Sequence, residues 1–351
     1  MSLPPALIFL FLFHSPKPFF EGEAGSYYKW SPSDHPILAQ ANVAAGRLLL
    51  RPRAFAIPHY SDCSKVGYVL RGDNGVVGYL FPNKSEVATV VKIKKGDVLP
   101  VPSAVTSWWF NNGDSVLEII FLGGTDGAHI PGDISYFLLS GPRGLLQGFS
   151  PEYIGKVFSL NHEETATLLK SQSGGLIFGI QQTQFLPKPQ NSGELVYNID
   201  AAAPDVRARG GAATVTTVTE SKFPYIGQSG LSVVLEKLDA NAVRSPVYVS
   251  ESADQLIYVA KGSGKIQIVG ISDKIDAEVK RGQLILVPKY FAAGKVAGEE
   301  GLECISIITA KHPLVEELAG KTSVLVALSP EVFQVTFNVT AEFEKLFRSK
   351  I

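Results

Sequence analysis

Lys94-Lys-Gly-Asp-Val-Leu-Pro-Val-Pro102 is matched, far along the same chain, by Lys280-Arg-Gly-Gln-Leu-Ile-Leu-Val-Pro288. Both open on two basic residues and a glycine, and both carry a proline the same distance after that glycine. The correspondence extends outward. Upstream, Lys65–Leu70 followed by Gly72 matches Gln255–Ala260 followed by Gly262. Downstream, Ser150-Pro151-Glu152 recurs as Ser329-Pro330-Glu331, and Phe158 recurs as Phe337. A repeat of roughly 180 residues is too long for a solenoid unit, so it marks a duplicated domain.

Within each copy, β-branched and aromatic runs alternate with turn residues. Lys65–Leu70, Val76–Phe81, Ala88–Lys94 and Leu117–Leu122 are predicted strands, and Asp73-Asn74-Gly75 is a hairpin turn between the first two. Many short strands at even spacing predict a sandwich or barrel. At Ser150 the pattern changes. An N-cap serine, a proline at the first helical position and an acid start one helix. Asn161 with Glu164 starts a second one as a capping box. The predicted organisation is an N-terminal extension over 1–24, a β-rich domain with a helical tail over 25–186, a linker over 187–212, and a second such domain over 213–351. The linker is read from Pro187-Lys-Pro-Gln-Asn-Ser-Gly193, Ala201-Ala-Ala-Pro204 and Gly210-Gly211.

The composition narrows the function. The 351 residues are 45% apolar and carry 32 Lys+Arg against 33 Asp+Glu. A net charge of -1 excludes the generally basic surface that nucleic acid requires. Two cysteines, Cys63 and Cys304, cannot make a disulfide framework or a four-cysteine zinc site. Residues 6–13 form an apolar run long enough for a signal-peptide core and too short to span a bilayer. No basic residue precedes it, which favours the cytoplasm. If residues 1–24 are instead a cleaved signal peptide, the compartment is the secretory pathway or a storage vacuole. In that case Asn83-Lys-Ser and Asn338-Val-Thr become glycosylation sequons. No later stretch is predicted to enter a membrane.

Tyr68-Val-Leu-Arg-Gly72 resembles the end of the first cupin motif. Gly96–Pro102, running on to Asn111, resembles the second. Further stretches are similar to legumin-type (11S) seed storage globulins. They are Pro58-His59-Tyr60, Tyr136-Phe-Leu-Leu-Ser-Gly141, Gly148-Phe149, Val287-Pro-Lys-Tyr-Phe-Ala292, Glu299-Glu-Gly-Leu-Glu-Cys-Ile-Ser306 and Ala319-Gly-Lys-Thr-Ser-Val-Leu325. The similarity runs from about Gly25 to Arg348. It implies an all-β bicupin: two antiparallel jelly-roll β-barrels, each followed by a helical pair. It also implies a nutrient-reservoir role without turnover or cofactor, and a homotrimer. Tyr153, Ile154, Val157, Phe158 and Leu160 of the first tail are the apolar surface expected at subunit contacts. Val332, Phe333, Val335, Phe337, Val339, Phe343 and Phe347 are their counterparts in the second. There are departures. The long Gln- and acid-rich segment of legumins is missing. Their Asn-Gly cleavage point reads Asn191-Ser-Gly193 here, with no cysteine near it. Only 12 Gln and 10 Asn occur in the chain. These point to a lean, glutelin-like member that stays uncut.

Catalytic cupins hold a metal with two histidines one residue apart, a glutamate five residues on, and a third histidine in motif two. Counting from the motif glycines puts these positions at Pro58, Tyr60, Lys65 and Ser107, and at Tyr248, Ser250, Gln255 and Ala293. None is a metal ligand of the required kind, and Lys65 would put an ammonium where the cation belongs. No metal and no catalytic residue are therefore expected. A third reading, a metal-free isomerase, needs a positioned base. Counting puts His59 out of register, on the opposite strand face. The competing expectation is a small organic ligand. Tyr60, Lys65, Ser107 and Trp108 would hold it in the first barrel, and Tyr248, Ser250 and Gln255 would line the second.

Overall fold

The computed structural model describes residues 11–13, 15–82, 88–184, 186–190, 193–208, 211–271, 274–320 and 323–350. Asn83 and Asn191 lie outside them. The chain forms two compact units. One comprises Ser15–Ala202 with Val218–Leu231. The other comprises Ala203–Thr217 with Ser232 onward and the short strand Leu12–Phe13.

In the first unit, two antiparallel sheets face each other over one core. One sheet runs in the order Tyr197–Asn198, Asp97–Val101, Ser64–Arg71, Leu117–Gly124, Val43–Leu50, Gly25–Trp30, Lys17–Gly22. The other runs Tyr136–Leu138, Ala54–Ser61, Thr106–Asn111, Gly75–Leu80, Thr89–Ile93, and Ile177–Gly179 also pairs with Ala54–Ser61. Alternate residues of both sheets meet in the core, among them Leu48, Val69, Leu99 and Phe121 from one and Val77, Tyr79, Ile93 and Trp109 from the other. The strands thus group as two sheets of a jelly roll, not as one continuously bonded ring.

In the second unit, two long strands organise a ten-stranded sheet. Gln255–Val269 and Ala292–Ile308 pair along most of their length, with register shifts at Val259/Lys261 and Gly262/Gly264. Gly262 is required there. Its φ is 71°, and a Cβ would lie 2.0 Å from the carbonyl oxygen of Gly301. The flank Lys274–Lys280 alternates exposed and buried residues against Gln255–Val269. Leu12–Phe13 adds a strand beside Leu284–Val287.

The helical tails follow the predicted start signals. Ser150 and Ser329 cap Pro151–Phe158 and Pro330–Phe337, accepting from the backbone N–H of Tyr153 and Val332. Ser159 and Asn338 end those helices in the left-handed conformation. Asn161 and Glu164 form the capping box that opens His162–Lys170. Phe333 corrects one expectation. It is buried, and its ring lies 4.6 Å from Phe337 and 4.9 Å from Phe347. It holds helix Pro330–Phe337 to helix Ala341–Lys350 and is not free for a subunit contact. No helix among the described residues is long and apolar enough to cross a membrane.

Candidate functional site

Each unit has a polar interior. In the first, the strand Ala54–Ser61 decides its content. Trp109 pairs with Ala56 and Ser107 pairs with His59, so the register slips by one residue between them. Pro58 lies at the slip and has no N–H for the ladder. Ile57 sends its own N–H to the carbonyl of Leu176 instead. The extra residue turns the strand over, as a β-bulge does. His59 therefore faces inward, and Tyr60 faces outward, stacked on Phe137 at 4.9 Å. This reverses the expectation from even counting. Trp108 is corrected likewise. It packs beside Phe55 in a second cluster with Val76, Val90 and Phe110, while Trp109 lines the interior against Phe121.

His59, Lys65, Tyr27 and Tyr136 meet around a void of about 10 Å³, enough for about one water molecule. His59 Nδ1 lies 2.7 Å from the carbonyl oxygen of Ile57. A carbonyl only accepts, so Nδ1 carries the proton and Nε2 is bare. The ring stands edge-on to Tyr136. Lys65 Nζ donates to Ser61 Oγ at 2.5 Å and lies 5.1 Å from the centre of the Tyr136 ring. The hydroxyls of Tyr27 and Tyr136 share a short hydrogen bond. Ser107 Oγ is buried with no hydrogen-bond partner among the described residues.

Burial shapes the titration of this cluster. It lowers the Lys65 ammonium to about 8, and with help from Lys65 it lowers His59 to about 4. It pushes the Cys63 thiol up to about 11, which makes it a poor nucleophile at neutral pH. His59 yields a prediction. An unfolded histidine takes up a proton near 6.5, and the folded one resists until about 4. Stability is therefore full above pH 6.5 and falls between 6.5 and 4, by up to about 3 kcal/mol. All three tryptophans, Trp30, Trp108 and Trp109, belong to this unit. Urea unfolding followed by tryptophan fluorescence should show the acid loss in the parent and a flatter pH dependence in His59→Gln. Equal slopes would contradict the assignment.

The second interior holds charges that sequence counting did not find. Glu236 accepts from Lys295 Nζ and from Arg244 Nε, and Arg244 Nη2 also reaches Glu317 Oε1 at 2.8 Å. Glu236, Arg244 and Lys295 are all buried. A cleft of about 190 Å³ opens beside Glu236 and Arg244. Tyr248 and Gln255 line it. Ser250 does not; it is exposed, and its hydroxyl donates to the Leu314 carbonyl oxygen. Both missed features had a signal. Pro58 inside a strand run marks a bulge. Glu236 shares an inward strand face with Val234, where an unpaired charge would be costly.

Among the described residues, no three His, Cys, Asp or Glu side chains stand together to hold a metal ion. Comparison with known proteins places this architecture. The cupin profile matches residues 11–166 and 197–345. The 12S seed storage protein CRD of Arabidopsis thaliana is 26% identical, over 92% of this chain and 84% of its own length. Cocosin 1 of Cocos nucifera is 25% identical, over 86% of this chain and 78% of its own. The crystal structure of pumpkin seed globulin superposes with a TM-score of 0.87 at 22% identity, covering 96% of this chain and 95% of that one. Two matched profile segments, two jelly-roll units and this near full-length similarity converge: the chain belongs to the cupin family, as a bicupin similar to the 11S and 12S seed storage globulins.

Proposed function

We propose that this chain is a storage-type bicupin, a nutrient reservoir that binds no catalytic metal and turns over no substrate. The observation that carries this is the content of the two interiors. The positions that hold a metal in catalytic cupins carry Pro58, Tyr60, Lys65 and Ser107 in one unit and Tyr248, Ser250, Gln255 and Ala293 in the other. The interiors hold a buried ammonium beside aromatic rings in the first and a buried ion network beside a small cleft in the second. Similarity to seed globulins over most of the chain supports the same role. A ligand in the first interior, the competing expectation, would find room for about one water molecule. The test is the protein's level through seed maturation and germination. A reservoir accumulates and is then consumed; a constant level would overturn the proposal.

Elemental analysis of protein purified from its source should find well below one manganese, iron, copper or zinc ion per chain. One tightly held equivalent surviving mild chelation would contradict the metal-free reading.

The storage reading includes a homotrimer. On the helical tails Tyr153, Val157, Phe158, Val332, Val335, Phe343 and Leu346 remain exposed. Apolar surface of this kind marks an interface, and unlike faces meeting head to tail close a ring when the rotation allows. Sedimentation should give three times the 37.8 kDa chain mass, with little salt dependence. Val335 is 84% exposed in the single chain, so Val335→Asp should leave the fold intact and release monomers. A parent chain that sediments as a monomer at micromolar concentration would exclude the trimer.

A further inference from the structure

The cleft in the second unit has unspent hydrogen-bonding capacity. Arg244 is nine-tenths buried, and of its five N–H groups one on Nε serves Glu236 and one on Nη2 serves Glu317. The rest meet no acceptor among the described residues. The hydroxyl of Tyr248, on the same cleft wall, has no partner among them either. Gln255 Nε2 donates to Ser306 Oγ at 2.9 Å, which leaves its Oε1 as an acceptor. The polar side of the cleft thus offers donors from two side chains and one acceptor. The remaining wall is apolar, with Val215, Val234, Val249 and Phe291 prominent.

Charge and size narrow the guest. Arg244 and Lys295 are balanced by Glu236 and Glu317, so a charged guest would lose its hydration without gaining a net counter-charge. The volume of about 190 Å³ is below that of drug-sized pockets and suits a guest of about ten non-hydrogen atoms or fewer.

We propose that this cleft binds a small uncharged carboxamide bearing a compact apolar group. Its carbonyl oxygen accepts from Arg244 and Tyr248, its N–H donates to Gln255, and its apolar group lies against the valines and Phe291. The site is independent of the storage role and needs no metal.

The test is calorimetric titration of the full chain with benzamide and with benzoate, its charged counterpart of equal shape. Benzamide should bind with a dissociation constant of about 1 mM or tighter, as its size permits, and benzoate at least about tenfold more weakly, because it must be desolvated as an ion. Val249→Phe, which fills the cleft, should abolish benzamide binding. Tyr248→Phe, which removes only a hydroxyl, should weaken it several-fold, and it decides the matter if the Val249 variant does not fold. No benzamide binding at about 10 mM, far above that limit, would overturn the proposal. So would benzoate binding as tightly, or an unchanged affinity in Tyr248→Phe.

Discussion

Glu236→Ala is expected to destabilise the second unit by about 3–5 kcal/mol, the cost of stranding buried charges. Glu236 is the shared anion of Lys295 and Arg244, and Lys295 is almost fully buried. Removing the carboxylate leaves an ammonium with no counter-charge and no water. Arg244 suffers less, because it keeps Glu317. Burial alone would push the Glu236 carboxyl up, but Lys295 and Arg244 together outweigh it and hold it below the ordinary value. The ion network therefore contributes stability above the usual carboxylate range, and that contribution is lost as acid protonates Glu236. Hydrogen exchange of the strand Ser232–Leu238 would read the effect locally, since this unit contains no tryptophan. A paired control separates charge from packing. Replacing Glu236, Arg244, Lys295 and Glu317 together with methionine should be close to neutral, because it removes the desolvation cost along with the attraction. If Glu236→Ala costs less than about 1 kcal/mol, the value of an exposed pair, the network is hydrated and the account fails.

Lys65→Met is expected to do the reverse and stabilise the first unit by about 2–3 kcal/mol at pH 7. The Lys65 ammonium is buried with a serine hydroxyl and aromatic faces for company, and no carboxylate bonds to it among the described residues. Its folded value of about 8 lies below the ordinary 10.5. Below pH 8 both folded and unfolded chains hold the proton, and the burial cost is paid in full. Between 8 and 10.5 the unfolded chain binds the proton more than the folded one does, so this residue's share of stability rises with pH. The shift corresponds to about 3 kcal/mol, and losing the contact with the rings returns part of it. The gain from Lys65→Met should therefore be largest at pH 7 and smaller at pH 9. Measurements above pH 9 mix in Cys63, whose raised value makes ionisation favour the unfolded chain. Tryptophan fluorescence in urea reads this unit alone. A variant less stable than the parent at pH 7 would show that Ser61 and the rings more than compensate the buried charge.

The duplicated domains and the capped helices at Ser150 and Ser329 were legible in the amino-acid sequence, whereas the hairpin expected at Asn74-Gly75 does not form: Ser64–Arg71 and Gly75–Leu80 lie in different sheets, and the turn carries the chain from one to the other. The caps depend on chemistry within a few residues: a serine that accepts from the N–H three residues on, and a proline whose lost donor costs nothing at a helix start. That none of the eight counted metal positions carries a histidine or glutamate was legible too, because it asks only which residue types are present. Which side chains face the first interior was not. Even counting put Tyr60 inside and His59 outside, and the strand reversed them because the N–H of Ile57 bonds to Leu176, a partner far along the chain. The ion network was hidden for the same reason. Glu236, Arg244 and Lys295 lie on three different strands, brought together by the pairing of Ala292–Ile308 with both Ser232–Leu238 and Val243–Val249. Local propensity and capping act between near neighbours and can be read in order. A bulge, a buried charge and its partner depend on which distant backbone comes alongside, and only tertiary packing decides that.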